Sequence, residues 1–273
     1  GIVGGYNSYA ENLFVRQITP SIQFRFRQNN DFRSNKKHWL SIRHVNIQRD
    51  RDDSNILTTT EPNYSVFNIR YVNSNDNLIN YKKWYTDFQA GQDFSKVSFN
   101  YEYRRLFESN RQINIRAFAG AFLKNKTDIN SNYFSFALDR PTDYLFDYNY
   151  LGRSEASGIF SQQYITAEGG FKSKLETPFA NQWITTINMS TTLWKYVLAY
   201  GDMGLVKNKL DSAHFVYDSG VRINLVTDYF EIYLPIYSNL GWEIGQPNYD
   251  QKIRFKFTAD PQVLLGLFRR RWF

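Results

Sequence analysis

Residues 94–123, FSKVSFNYEYRRLFESNRQINIRAFAGAFL, decide the fold because apolar and polar side chains alternate along two stretches joined by a polar turn. Successive residues of a β-strand point to opposite faces of a sheet. On the first stretch the two faces carry Val97, Phe99, Tyr101 and Tyr103 against Ser98, Asn100, Glu102 and Arg104. Glu108–Asn110 supplies the turn, so the segment predicts an antiparallel β-hairpin with one apolar face.

The same two-residue period recurs along the chain. It is found in residues 22–27, 67–71, 215–224 and 252–257, where aromatic or aliphatic side chains alternate with charges or amides. Segments of about ten residues with this period, separated by polar turns, are typical of transmembrane β-barrels with lipid outside and a polar lumen inside. We therefore predict an all-β fold, an antiparallel transmembrane β-barrel of about 12 strands (range roughly 10–14) with a polar, filled lumen.

The aromatic content fits this prediction. Aromatic residues make up 18% of the chain, with 20 Tyr and 23 Phe, and in a barrel such residues cover the lipid face and both interfaces. Mean hydropathy is −0.54, and no apolar run is long enough for a transmembrane helix. A soluble sheet protein with a tyrosine-rich binding surface is the alternative, because alternation alone leaves open which solvent each face meets.

The charge distribution argues against a nucleic-acid partner. The net charge is +7, but lysine and arginine are spread along the predicted strands rather than clustered in one patch. A polar lumen or an anionic lipid surface accounts for them equally well. The chain has no cysteine, which excludes disulfides and thiolate chemistry.

The alternation predicts about thirteen candidate strands. They cover residues 14–28, 38–49, 63–73, 80–91, 94–107, 111–124, 131–138, 158–173, 181–194, 196–206, 213–226, 227–238 and 250–259. Single-chain bacterial barrels have even strand numbers, so we expect one candidate to lie outside the wall, leaving about twelve. Residues 1–259 are predicted to be the barrel, with 1–11 as a linker or irregular entry strand.

Residues 260–273 break the alternation and form a basic, aromatic tail. Its last five residues are Arg269, Arg270, Arg271, Trp272 and Phe273. Arginine side chains that meet lipid phosphates and a tryptophan at headgroup level are typical of an interfacial segment. We predict that this tail contacts the membrane interface.

The lengths of the links predict an orientation. The short links at Gln92–Asp93, Glu108–Asn110 and Val226–Asp228 are expected on the periplasmic side, and the longer ones at Gln28–Lys37, Asp50–Asn63 and Ser238–Asp250 on the outer side. The longest link, 139–157, carries Tyr144, Phe146, Tyr148 and Tyr150. Long links usually have a function, so this one would either fold into the lumen as a plug or be an ordinary surface loop.

Charges of both signs occupy positions predicted to face the lumen. They are Arg25, Arg70, Glu102, Arg104, Arg116, Glu168, Arg222, Glu231 and Arg254. A lumen of about twelve strands is narrow, and isolated buried charges are costly. We expect opposite charges to pair across it and make the wall rigid, which leaves less support for a conducting pore.

Catalytic motifs are not evident. The three histidines, His38, His44 and His214, have no metal-ligand spacing, so we predict no metal and no cofactor. Ile2–Gly5 resembles the mature N-terminus of trypsin-like proteases, but the residues around His44 and Ser219 do not match that family. The outer-membrane phospholipase family places a His and a Ser two residues apart on one strand, a spacing that neither His44 nor His214 has.

Three stretches of the last third carry a resemblance: Leu198–Gly204 (LAYGDMG), Tyr217–Ile223 (YDSGVRI) and Phe230–Pro235 (FEIYLP). They resemble the surface-antigen barrel of the outer-membrane assembly superfamily. They resemble more closely the C-terminal barrel of aminopeptidase-like (gluzincin) envelope proteins of Gram-negative bacteria. The second resemblance implies that any zinc-peptidase site lies in a domain upstream of Gly1, and that this chain is the membrane-embedded part.

We therefore expect a bacterial outer-membrane barrel that anchors or supports a partner envelope protein or an N-terminal peptidase-like domain. The lipid bilayer is its expected surrounding. A transport barrel, either a small-solute pore or an autotransporter-type translocator, is the main alternative. A barrel hydrolase comes third. Paired lumen charges favour the anchor, whereas a ring of one sign would favour a selective channel.

Overall fold

The structure is a computed structural model. It describes residues 1–10, 13–26, 34–50, 63–109, 111–126, 134–148, 150, 153, 155, 157–226 and 230–257. The predicted interfacial tail, including Arg269–Phe273, lies outside the described residues. Within the described part of the chain, no helix is long and apolar enough to cross a membrane.

In the described part of the chain, the regular structure consists of fifteen strands and two short 3-10 helices. The strands are β1 (Ile2–Ala10), β2 (Leu13–Phe26), β3 (Lys36–Asp50), β4 (Tyr64–Asp76), β5 (Asn80–Gly91), β6 (Phe94–Leu106), β7 (Gln112–Asn125), β8 (Phe136–Ala137), β9 (Phe179–Ala180), β10 (Trp183–Trp194), β11 (Val197–Lys207), β12 (Ala213–Val226), β13 (Phe230–Ser238), β14 (Gly241–Trp242) and β15 (Arg254–Phe257). The 3-10 helices cover Ile159–Gln162 and Tyr249–Lys252.

Thirteen of the strands form one antiparallel sheet, which confirms the predicted all-β class. Strands β1–β7 and β10–β13 follow one another as an up-and-down meander, and β13 also pairs with β14 and β15. Setting aside the two-residue β14, the sheet has the twelve strands expected. Among the described residues no strand pairing joins β1 to β15, so the described sheet is not closed; the outer edge of β15 is bridged at Phe255 by Gln163.

The hairpin of β6 and β7 shows why the sheet has two distinct faces. Glu102 lies opposite Arg116 and Asn100 opposite Phe118, so these four side chains share one face of the hairpin. Asn100 is fully buried, whereas its neighbour Phe99 is 41% exposed. Strand registers extend these two faces across the sheet. We call the face that contains Asn100 the inner face and the face that contains Phe99 the outer face.

The chain between β7 and β10 packs against the inner face. We call residues 134–180 the inner segment; its residues 149, 151, 152, 154 and 156 are not described. The strands predicted at 131–138 and 158–173 are wrong over the described residues 134–138 and 158–173, where the regular structure is β8 and a 3-10 helix. Of the two alternatives for residues 1–11, the entry strand is the one observed, because β1 pairs with β2.

Among the described residues, the inner segment contacts the inner face of eleven strands. Its partners are Gln17 of β2, Arg43 of β3, Tyr64 of β4, Gln89 of β5, Lys96 of β6, Phe118 of β7, Asn188 of β10, Asp202 of β11, Asp218 of β12, Tyr233 of β13 and Arg254 of β15. Strands of a sheet are spaced by about 4.8 Å, yet Tyr81 of β5 and Lys256 of β15 line one cavity although their strands are seven spacings apart, so the sheet curls around the segment.

The links between strands lie at the two ends of the sheet, and the links at one end are mostly shorter than those at the other. One end, which we call the short-link end, carries the links 27–35, 77–79, 107–111, 195–196 and 227–229, together with Gly1 and Phe257. The other end carries 11–12, 51–63, 92–93, 126–182, 208–212 and 239–253. The orientation prediction is therefore wrong in two places, because the turn 92–93 lies opposite the other short turns and the link 28–37 lies beside them.

Candidate functional site in the interior of the sheet

An aromatic cluster fixes the first part of the inner segment. Phe136 is fully buried, with its ring centroid 5.8 Å from that of Phe118 and 5.0 Å from that of Phe122. Gly120 makes room for it, since a Cβ at this position would lie 2.6 Å from Cζ of Phe136. The wall and the segment are therefore complementary in shape at this point.

A second aromatic cluster surrounds a buried lysine. Phe94 stacks on Phe134 at 4.4 Å, and Tyr144 packs edge-on against both rings. Lys96 of β6 lies with its ammonium nitrogen 4.9 Å from the Tyr144 ring centroid and 3.7 Å from a carboxylate oxygen of Glu168. The ring faces and the carboxylate together offset part of the free-energy cost of burying this cation.

A buried ion pair holds the later part of the inner segment. The Nζ atom of Lys172 lies 2.8 and 2.7 Å from the two carboxylate oxygens of Asp202. The backbone amides of Lys172 and Ser173 donate to Asp218 at 2.7 and 2.6 Å. Burial alone would lower the pKa of Lys172, but Asp202, Tyr164 and Asp218 raise it above its usual value, so the side chain stays charged.

The four aromatic residues predicted for a plug lie at different depths. Tyr144 is buried and donates a hydrogen bond to Gln89 of β5, while Phe146 is half-buried beneath the guanidinium of Arg153. Tyr148 is 38% exposed, and Tyr150 is half-buried. Of the four, Tyr144 makes the deepest contact with the wall.

Eight of the nine charges predicted for the lumen lie at inner-face positions of the sheet: Arg25, Arg70, Glu102, Arg104, Arg116, Arg222, Glu231 and Arg254. The ninth, Glu168, belongs to the inner segment, because no strand forms at 158–173. Its carboxylate accepts a hydrogen bond from the backbone amide of Ala137 at 3.1 Å.

The ion pairs of these charges join adjacent strands or join a strand to the inner segment. Arg70 lies 2.7 Å from Asp87, and Arg222 pairs with Glu231. Lys96 joins the wall to Glu168 on the segment. Such pairs stabilise the sheet and the packing of the inner segment against it, because breaking a buried pair leaves an uncompensated charge.

The remaining predicted charges make polar or cation–π contacts. Arg25 is exposed and donates to Gln23 at 3.4 Å, and Arg254 donates to the carbonyl oxygen of Ser161 at 3.4 Å. Glu102 accepts a hydrogen bond from Asn100 at 2.9 Å. The guanidinium of Arg104 lies 5.3 Å from the ring centroid of Tyr81.

A cavity of about 520 Å³ lies between the inner segment and the short-link end. Tyr81 of β5 and Lys256 of β15 both line it, although they belong to strands seven spacings apart in the sheet order. Arg116, Lys172 and Arg222 also line it. Its size lies within the range of small-molecule sites, and its wall is rich in cations and tyrosines.

Sequence reasoning missed several residues that hold the interior together: Arg43, Asp87, Lys96, Asp147, Lys172, Asp202 and Asp218. Asp202 and Asp218 could have been found, because each stands at an inner-face position of an alternating strand. Lys172 and Asp147 could not, since the inner segment has no period that assigns its side chains to a face.

Side chains typical of catalysis and metal binding are scattered. His214 pairs with Asp211 at 2.8 Å in an exposed turn, and His38 lies 3.3 Å from the hydroxyl of Tyr71. No group of three or more His, Cys, Asp or Glu side chains that could hold a metal occurs within the described ranges.

Comparison with models of known protein families and with curated proteins gives no match to this chain.

Proposed function

We propose that the sheet closes into a β-barrel in a bacterial outer membrane and serves as an anchor or scaffold for a partner protein or an N-terminal domain. The proposal is carried by the contrast between the two faces of the sheet: the inner face contains buried polar and charged side chains, and the outer face exposes apolar ones. Large apolar side chains are exposed on the outer face at Ile18, Ile22, Phe24, Phe26, Phe67, Val97, Phe99, Ile187, Met189, Met203, Leu205, Phe215, Leu225 and Tyr237. Monomeric soluble proteins rarely expose contiguous apolar surface on this scale, and lipid is its natural solvent.

Closure of the sheet follows from the same proposal. In the hydrocarbon layer an unpaired strand edge leaves amides and carbonyls without water, which costs several kcal/mol per group. The edge of β1, and the edge of β15 beyond its bridge to Gln163, are therefore proposed to pair or to be covered when the protein is in a membrane. The curl of the sheet around the inner segment brings its two sides toward each other and supports this proposal.

The filled interior favours an anchor over a pore. Aromatic clusters and the Lys172–Asp202 pair bind the inner segment to the wall over most of the sheet. The charges that line the cavity carry both signs, as with Arg222 and Glu231, rather than forming a ring of one sign. A selective channel depends on such a ring or on a continuous aqueous path.

The partner is proposed to lie on the periplasmic side. Short turns of bacterial barrels face the periplasm, so the short-link end is proposed to face it too. Gly1 lies at this end, and its amino group donates to the carbonyl oxygen of Ser21 at 2.7 Å. An upstream peptidase-like domain of the gluzincin type, as the sequence resemblance implies, would extend from this side.

A conductance measurement separates the anchor from a transport barrel. The chain reconstituted in planar bilayers is expected to give no steady single-channel current, because the inner segment occupies the interior. A variant with residues 139–175 replaced by a short Gly-Ser linker is the matched control and is expected to conduct. Steady, ion-selective current through the unmodified chain would overturn the anchor proposal in favour of transport.

A further inference from the structure

The cavity at the short-link end contains Arg116, which two amides hold in place and which forms no salt bridge with a described residue. Glu102, opposite Arg116 in the strand register, and Glu231, opposite Lys256, also line the cavity. Arg116 Nε donates to Asn100 Oδ1 at 2.7 Å, and Nη1 donates to Asn188 Oδ1 at 3.0 Å. The two amides are themselves oriented, since Asn100 donates to Glu102 at 2.9 Å and Asn188 to the carbonyl oxygen of Gly169 at 3.0 Å. A guanidinium has five N–H donors, so three of those on Arg116 are left for another acceptor.

Some cations that line the cavity are in ion pairs and others are not. Lys172 is neutralised by Asp202 and Arg222 by Glu231. No carboxylate of the described residues lies within 4.0 Å of the charged nitrogens of Arg116 or Lys256. These two cations lie on opposite walls, on β7 and β15, and line the same space.

We propose that this cavity is a binding site for a small organic anion, whose carboxylate or phosphate group is held by Arg116 and attracted by Lys256. The free edge of a guanidinium fits a carboxylate or phosphate oxygen pair with two parallel hydrogen bonds. Lys256 supplies a second positive charge without a fixed geometry. The volume of about 520 Å³ suits a molecule of metabolite size.

The rest of the lining suits the organic part of such a ligand. Asn114 and Ser190, which bond to each other at 3.0 Å, present amide and hydroxyl groups. Tyr81 and Tyr233, on strands six spacings apart, also line the cavity. A few placed polar groups among aromatic rings are typical of small-molecule sites. The proposal concerns the folded interior and does not depend on whether the outer face meets lipid.

The test is calorimetric titration of the refolded chain in an uncharged detergent at neutral pH and low ionic strength. Succinate and inorganic phosphate are the two probes, and sucrose is the neutral control. The variants are Arg116→Gln and Lys256→Gln. Arg105→Gln is the matched control, because Arg105 lies on β6 next to the cavity strands but points to the outer face.

At least one anion is expected to bind in the millimolar range or tighter, and sucrose is not. Arg116→Gln is expected to weaken binding by about tenfold or more, since it removes charge-assisted hydrogen bonds. Lys256→Gln, which breaks no ion pair with a described residue, is expected to weaken it several-fold, while Arg105→Gln leaves it unchanged. Absence of binding by both anions, or an equal loss with Arg105→Gln, would overturn the proposal while leaving the membrane anchor untouched.

Discussion

Replacing Lys172 by methionine is expected to destabilise the fold by about 3–5 kcal/mol, because one partner of a buried ion pair is removed. The Lys172 side chain is 9% exposed, and the Asp202 side chain is not exposed at all. Asp218 stands directly opposite Asp202 on the next strand, so the variant leaves two neighbouring carboxylates without their cation. Methionine keeps the length of the side chain, so the loss reports on charge rather than on packing.

The matched control for this variant is Lys37→Met. Lys37 lies 2.6 Å from Asp76, a similar distance, but the two side chains are 64% and 36% exposed. An exposed pair of this kind contributes about 0–1 kcal/mol. Urea unfolding of the refolded protein in detergent, followed by tryptophan fluorescence, measures both variants. If Lys172→Met costs no more than Lys37→Met, the ion pair does not hold the inner segment in place.

Replacing Phe136 by alanine is expected to cost about 3–5 kcal/mol. Its ring is fully buried between the inner segment and β7, and it fills the space that Gly120 leaves open. Neither the Gly120 backbone nor the fixed rings of Phe118 and Phe122 can move into the gap, so a cavity remains. The expected readout is a lower urea midpoint with an unchanged slope.

Phe160→Ala is the matched control for Phe136→Ala. Phe160 belongs to the same inner segment but is 50% exposed in a 3-10 helix. Its truncation removes little buried area and is expected to cost less than about 1 kcal/mol. Equal losses from the two substitutions would mean that the inner segment is not packed against the wall as described.

The wall of the sheet could be predicted closely from the sequence. Strands β2–β7 and β10–β13 match predicted strands to within a few residues at most boundaries, because each one alternates with a two-residue period. That period also placed Arg70, Arg116 and Arg222 on the inner face. β1 was predicted only as one of two alternatives, an irregular entry strand or a linker, since its glycines and small polar residues weaken the alternation.

The inner segment could not be predicted, for a physical reason. Its side chains contact the wall in every direction, so no repeating period separates a buried from an exposed face. Residues 158–173 were predicted as a strand, and that prediction gave Glu168 an inner-face position on the sheet. The two-residue strands β8 and β9 are too short to leave a pattern.

Only part of the candidate site could be predicted, because its strand residues follow a two-residue period and its inner-segment residues do not. Arg116 was identified from its strand, but the amides that orient it, Asn100 and Asn188, were not singled out. Lys172 belongs to the inner segment, so the role of Asp202 as its ion-pair partner could be recognised only from the structure. Strand residues could be assigned to a face, whereas contacts with an irregular segment required the structure.

The most direct measurement of the central claim compares labels at two adjacent residues of β2. The chain has no cysteine, so Ile22→Cys and Gln23→Cys each give one site for an environment-sensitive fluorophore. Ile22 is 61% exposed on the outer face, and Gln23 is exposed on the inner face. After refolding into vesicles, the label at residue 22 is expected to be quenched by spin-labelled lipid tails and the label at 23 is not. Equal access of both labels to a water-soluble quencher, with no lipid quenching, would contradict the membrane barrel.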